Sequence, residues 1–150
     1  MQIIKTESLE QVRKEIDKKA RNNEKVIVQG RDIGFNRKIL ENKKVNMFIL
    51  NHTNKKDKLK QRDSGLNEVL CKLARDNNIT LAINFHELLS EDKKEKAKIL
   101  SRIIQNIKLA RKFKNKLILI NNNKNKDISA LLRVLSADTK MAEYAGNNNI

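Results

Sequence analysis

The feature that most narrows what this chain can become is an alternation, repeated about five times, of short apolar runs rich in β-branched residues and longer stretches with helical apolar spacing. Successive βα units read this way. Ile3 and Ile4 open the first unit, and a helix follows from Ser8, whose hydroxyl suits an N-cap, with Leu9, Val12 and Ile16 on one stripe. Val26 to Val28 form the second strand, closed by Gly30, and Asp32 to Lys44 suits a short helix. Val45 to Leu50 is apolar at nearly every residue, as a parallel strand covered on both faces must be. Asp63 or Ser64 is expected to cap a helix that places Leu66, Val69, Leu70 and Leu73 on one face. Ile79 to Phe85 gives the next strand. Ser90 starts a long charged helix whose stripe is Leu100, Ile103, Ile104 and Ile107. Leu117 to Ile120 is the fifth strand, and Asp127 is expected to cap a last helix carrying Ile128, Leu131, Leu132 and Leu135.

Repeated βα units with right-handed crossovers make a parallel sheet, either open and doubly wound or curled toward a barrel. Periodicity leaves both open. A length of 150 residues fits one domain, expected over 1–146 with a flexible Asn-rich tail over 147–150. A full eight-unit barrel takes about 200 residues or more, so a barrel here would be shortened or incomplete. Gly30 and Gly34 lack the third glycine and the spacing of a dinucleotide fingerprint.

Thirty-three Lys and Arg against 18 Asp and Glu leave a formal charge of +15, which calls for a polyanionic partner. Heavy use of Lys, Asn and Ile is also what a genome-wide codon bias produces. A membrane-surface role would concentrate the charge on one amphipathic helix with bulky anchors, whereas here it is spread over many segments, so nucleic acid is the better reading and no membrane partner is expected. The lone cysteine, Cys71, sits in an apolar helical pattern and reads as a buried small hydrophobe in a reduced, cytoplasmic setting. Nothing at the start of the chain resembles a signal peptide, and no apolar run approaches the ~18 residues of a membrane span.

In a parallel α/β fold, function gathers where the strands end. That places Arg31 and Asp32, Asn51 and His52, His86 and Glu87, and Asn121 to Asn123 together. Two histidines make a thin metal site, since hydrolytic centres gather three or more His, Asp or Glu ligands, and His52 and His86 read as ordinary polar surface residues. No nucleophile elbow is present, and the pairs Asp63 with Glu68 and Glu87 with Glu91 read as caps and solvated charge rather than acid–base pairs. No catalytic residue and no protein-bound metal is expected. Phosphate binding needs only positive charge and donors. Its candidates are Arg31, Arg37, Lys38, Lys55, Lys56, Lys58, Lys60, Arg62, Lys124 and Lys126, all expected on one strand-end face. Arg111, Lys112, Lys114 and Lys116 close the long helix at the opposite end. With only five aromatics, all at apolar positions, base stacking is not expected to contribute.

Four segments, in order, carry a family resemblance: Asn36-Arg37-Lys38 ahead of Val45 to Leu50; Arg62-Asp63-Ser64-Gly65-Leu66-Asn67 opening a helix through Leu73-Ala74; Ile83-Asn84-Phe85 with Leu88-Leu89; and Asn106 to Phe113 leading into Leu117 to Ile120. Over about Asn36 to Met141 the chain resembles the TIM-barrel-like protein component 3 of archaeal and eukaryotic ribonuclease P. The resemblance implies a barrel-like βα fold with fewer units before Asn36 than the family carries. It also implies an RNA-binding scaffold for the RNA that removes the 5′ leader of precursor tRNA, with Mg²⁺ used by that RNA and no cofactor on the protein. The implied partners are ribonuclease P RNA, the small ferredoxin-like subunit (component 2) and other ribonuclease P proteins. Asn36, Asp63 and Ser64 are expected to organise the basic loop. The family barrel also resembles that of metal-dependent phosphoesterases, so a small phosphoesterase using His52 and His86 is one alternative, and a stand-alone RNA-binding module is another.

Overall fold

A computed structural model describes the chain except residues 1, 6, 7, 58, 60, 61, 90, 91, 121–124, 149 and 150, and except the side chains of residues 89 and 125–127. The order is α1 (Leu9–Arg21), β1 (Ile27–Gln29), α2 (Ile33–Leu40), β2 (Met47–Leu50), α3 (Glu68–Asp76), β3 (Thr80–Asn84), a 3₁₀ turn (Phe85–Leu89), α4 (Lys93–Lys112), β4 (Leu117–Ile120), α5 (Asn125–Val134) and α6 (Thr139–Asn147).

The four strands are parallel and lie in the sheet in chain order, β1-β2-β3-β4. A doubly wound sheet reverses its order at a switch point. A sheet that always steps the same way winds once and curls toward a barrel, so the strand order decides what periodicity left open. The two faces divide accordingly. Val28, Phe48, Leu50, Leu81, Ile83, Leu117 and Leu119 pack against Val12, Ile16, Ile39, Leu70, Ile103, Ile107 and Leu132 of the helices. The opposite face, Ile27, Met47, Ile49, Ala82 and Ile118, is covered by Ile3, Ile120 and Tyr144. Each strand is thus buried on both sides, and β2 is buried at all four positions.

Several local expectations shift. Ile4 makes only an isolated parallel bridge to Val28, so the first expected strand contributes one rung, donating its N–H to Ile27 and accepting from Gln29. Ser8 occupies the N-cap position of α1 without a side-chain cap bond. Asp63 and Ser64 do not cap α3; Asn67 does, its side chain accepting from the Leu70 N–H. The buried face of α3 is Leu70, Cys71 and Ala74, while Val69 is 53% exposed, so the apolar stripe is rotated toward the small residues. Asp92 caps α4; Ser90, expected there, lies outside the described residues. Asp127 lies inside α5, which begins two residues earlier, and the expected last helix is two, joined through Ser136. α6 runs through Asn147, the first residue of the expected tail. Among the described residues no helix is long and apolar enough to cross a membrane.

Candidate nucleic-acid interface

The chain leaves β1 through Gly30, whose N–H donates to the Ile49 carbonyl at 2.7 Å. A Cβ here would lie 2.6 Å from the Phe48 ring, so glycine is what lets the two exits approach. Asp32 then caps α2, its carboxylate accepting from the Phe35 N–H at 2.9 Å, and that bond holds its pKa below the ordinary carboxylate range. Asn36 is buried and joins two loops: its carbonyl oxygen accepts from Arg31 N–H at 2.7 Å and its amide donates to Gly65 O at 2.8 Å. Gly65 has φ +75°, a left-handed conformation that side chains resist. Asp63 accepts from the Gly65 N–H, Asp57 accepts from the Asp63 N–H, and the buried Ser64 hydroxyl donates to Leu66 O. The basic loop is therefore shaped by bonds from Asn36, Asp57, Asp63 and Ser64.

Beneath it lies a polar network that reading the sequence missed. His52, expected at the surface, is completely buried. Its ring Nδ1 meets Glu87 at 2.9 Å, its backbone N–H donates to the same carboxylate oxygen at 3.0 Å, and Asn106 Nδ2 lies 3.0 Å from Nε2. With the amide donating to Nε2, Nδ1 carries the proton toward Glu87. Asn106 Nδ2 also donates to Ser64 O at 2.9 Å. Arg102, 1% exposed, donates to the carbonyls of His52 and Lys55 and pairs with Asp57 at 3.1 Å. These bonds fasten the start of the loop onto α4. The available signal was that Arg102 and Asn106 fall on the same helical face as Ile99, Ile103, Ile107 and Ala110, where a polar residue needs a buried partner.

The expected cations separate into three groups. Lys55 is half-buried and donates to the Arg31 carbonyl, and burial lowers its pKa against the opposing pull of Asp63 and Asp32; it acts as a strut. Arg37 is exposed on α2 and pairs with Glu41 at 3.0 Å, and Lys38 is exposed beside it. Lys56 and Arg62 are exposed and line a groove. One segment of that groove, about 500 Å³, runs between Arg31, Asn51, Thr53 and Lys56; the next, about 270 Å³, lies between Lys56, Arg62, Asn67 and Gln105; the third, about 410 Å³, between Arg62, Gln105, Lys108 and Lys112. The three are neighbours, sharing Lys56 and Asp63 between the first two and Arg62, Gln105 and Leu109 between the second and third, and the carboxylates of Asp32, Asp63 and Glu68 stand among the cations of the first two. Arg37 and Lys38 line none of them, so the single expected patch is narrower at α2 and longer along α4, where Lys108 and Lys112 were not anticipated. Lys112 also pairs with Glu68 at 2.6 Å. Arg31 stacks over the Phe35 ring at 5.5 Å. Lys58, Lys60 and Lys124 lie outside the described residues, as does the side chain of Lys126.

His52 is sealed and His86 exposed, so they do not form a shared ligand pair, and no group of three or more His, Cys, Asp or Glu side chains suited to a metal exists among the described residues. Exposed cations, Lys56, Arg62, Lys108 and Lys112, thus line neighbouring hollows above a buried polar network in which Arg102 Nε and Asn106 Oδ1 have no partner among the described residues, and such cations are the donors that phosphate oxygens accept from.

The fold and groove define a singly wound, barrel-like βα domain with a cationic face. Ribonuclease P protein component 3 from Methanocaldococcus jannaschii is 30% identical over 139 residues, covering 88% of this chain and 57% of that protein. The Methanosarcina acetivorans protein of the same name is 37% identical over 94 residues, covering 63% of this chain and 36% of its own length. A chain in a solved structure of archaeal ribonuclease P with mature tRNA superposes with a TM-score of 0.76 at 28% identity, covering 97% of this chain and 63% of that one. No protein-family model matches. The chain is a relative of the ribonuclease P protein component 3 family, and it spans about half the length of the curated relatives it matches.

Proposed function

We propose that this chain is a protein subunit of ribonuclease P, an RNA-binding scaffold that supports the catalytic RNA in removing the 5′ leader of precursor tRNA. The observation that carries the reading is the run of neighbouring hollows past Lys56, Arg62, Lys108 and Lys112, on a chain whose relatives bear the name of that enzyme's component 3. In this reading the groove neutralises phosphates, so RNA segments that repel one another pack at lower Mg²⁺. The metal used in cleavage is the RNA's, and the protein binds no cofactor of its own. Lys58 and Lys60 extend the phosphate contacts from the basic loop, with Lys124 and Lys126 adding to them after β4. The partners are ribonuclease P RNA, the ferredoxin-like component 2 and the other ribonuclease P proteins, in the cytoplasm.

The test adds the chain, with and without the ferredoxin-like partner, to the same organism's ribonuclease P RNA and follows precursor-tRNA cleavage at low Mg²⁺. Restored cleavage at the mature 5′ end, with none from protein lacking RNA, is the expected result. RNA binding without any effect on cleavage would replace this reading with an independent RNA-binding module.

A further inference from the structure

At the opposite end of the sheet, a cleft of about 540 Å³ opens between the end of α4, the start of β4 and α6. Its walls carry Arg111, Lys114, Lys116 and Lys140 against a single carboxylate, Asp138, which is occupied in capping α6 through the Met141 N–H. Arg111 donates to Ser136 O and Lys116 to Asn78, while Lys114 and Lys140 are exposed and make no ion pair among the described residues. Asn115, 5% exposed, is also in the wall; its amide donates to Cys71 O, but its Oδ1 is buried with no partner among the described residues. A concave site with four cations around one engaged carboxylate suits a ligand that carries several anionic oxygens.

The backbone at Lys114 is one that a lysine resists. Helix α4 ends in a Schellman motif, with Asn115 N–H donating to Ala110 O and Lys114 N–H to Arg111 O, which puts Lys114 in the left-handed region at φ +56°. The corresponding positions ending α1 and α3 are Asn23 and Asn78, both at φ +55°, and that ending α5 is Ser136 at φ 82°. Asparagine tolerates that conformation and a long side chain resists it. A lysine at this position costs the fold and gains charge in the cleft.

We propose that this basal cleft is a second RNA-backbone site, taking phosphodiester oxygens on Arg111, Lys114, Lys116 and Lys140. This rests on the reading of the chain as an RNA scaffold. Because α4 lines the groove through Lys108 and Lys112 and reaches the cleft through Arg111, one rigid helix would hold two RNA segments at a fixed separation.

Filter binding of ribonuclease P RNA across a salt series tests it, comparing wild type, Lys114→Asn with Lys140→Gln, and Arg62→Gln with Lys108→Gln. The basal pair is expected to lower the log–log salt slope by about two, at roughly one per contact, while Lys114→Asn alone leaves the melting temperature unchanged or raises it. An unchanged slope and affinity in the basal pair, with loss in the groove pair, would overturn the cleft alone. No RNA binding by the wild-type chain would overturn the scaffold reading and this one with it. Thermal stabilisation by inorganic tripolyphosphate that depends on Lys114, without any change in RNA binding, would make the cleft a small-anion site instead.

Discussion

Asn106 ties three elements through one amide: it donates toward His52 at the exit of β2 and to Ser64 in the loop before α3, from a position in the middle of α4. Truncating it strands two buried acceptors, and each unmet buried group costs about 1–3 kcal/mol. Asn106→Ala should therefore lower stability by roughly 3 kcal/mol, read as a shifted urea midpoint with unchanged m. Asp32 offers a pH-resolved counterpart. Its carboxylate pKa is depressed by the Phe35 N–H, so its contribution is present above the ordinary carboxylate range and is lost as pH falls through the lower folded value. Asp32→Ala should be destabilised by about 1 kcal/mol at neutral pH, and the gap to wild type should narrow in acid. Cys71 is pushed up to about 12 by burial. It should react with a thiol reagent at pH 8 only on unfolding, and prompt labelling of the native protein would contradict its packing. These residues show what a single sequence conceals. Asn36, Asp63 and Ser64 were legible as loop organisers only through the family motif, and Asn36 reaches Gly65 across 29 residues, whereas His52, Arg102 and Asn106 find partners 35 to 54 residues away, a distance at which no periodicity speaks.

The helices end in a way that explains where the reading of elements slipped. Four of them, α1, α3, α4 and α5, close in Schellman motifs whose left-handed positions are Asn23, Asn78, Lys114 and Ser136, none of them glycine. The chain has four glycines and no proline. The residues that usually punctuate helices are therefore scarce, and the break at Ser136, φ 82°, passed as continuous helix. Strands were easier to find because runs such as Leu117 to Ile120 must be apolar on both faces, a demand that composition alone displays. Two substitutions test the element-level account. Ser136→Gly relieves a left-handed serine and should stabilise by up to about 1 kcal/mol. Gly30→Ala drives a methyl into the Phe48 ring and the Ile49 carbonyl, and should cost about 1–3 kcal/mol, as overpacking does. Thermal melts of both variants would read the opposite signs.

At the scale of the molecule, one winding sense and one dominant charge decide the architecture and its use. The sequential strand order puts helices α1 to α4 on one side of the sheet and gathers the loops after β1 and β2 at one end, where Asn36, Lys55 and Arg102 clamp them into a wall for the groove. The charge of +15 was legible as a call for a polyanion, but its arrangement was not: counting lysines could not show that Lys55 is a strut, that Arg37 lies off the groove, or that Lys108 lines it. The central claim is that this groove holds RNA through its backbone. Its most direct test is the salt dependence of binding to ribonuclease P RNA for wild type and for Arg62→Gln with Lys108→Gln. The double variant should bind more weakly with a slope shallower by about two, its melting temperature unchanged, and an identical slope in the two proteins would contradict the claim.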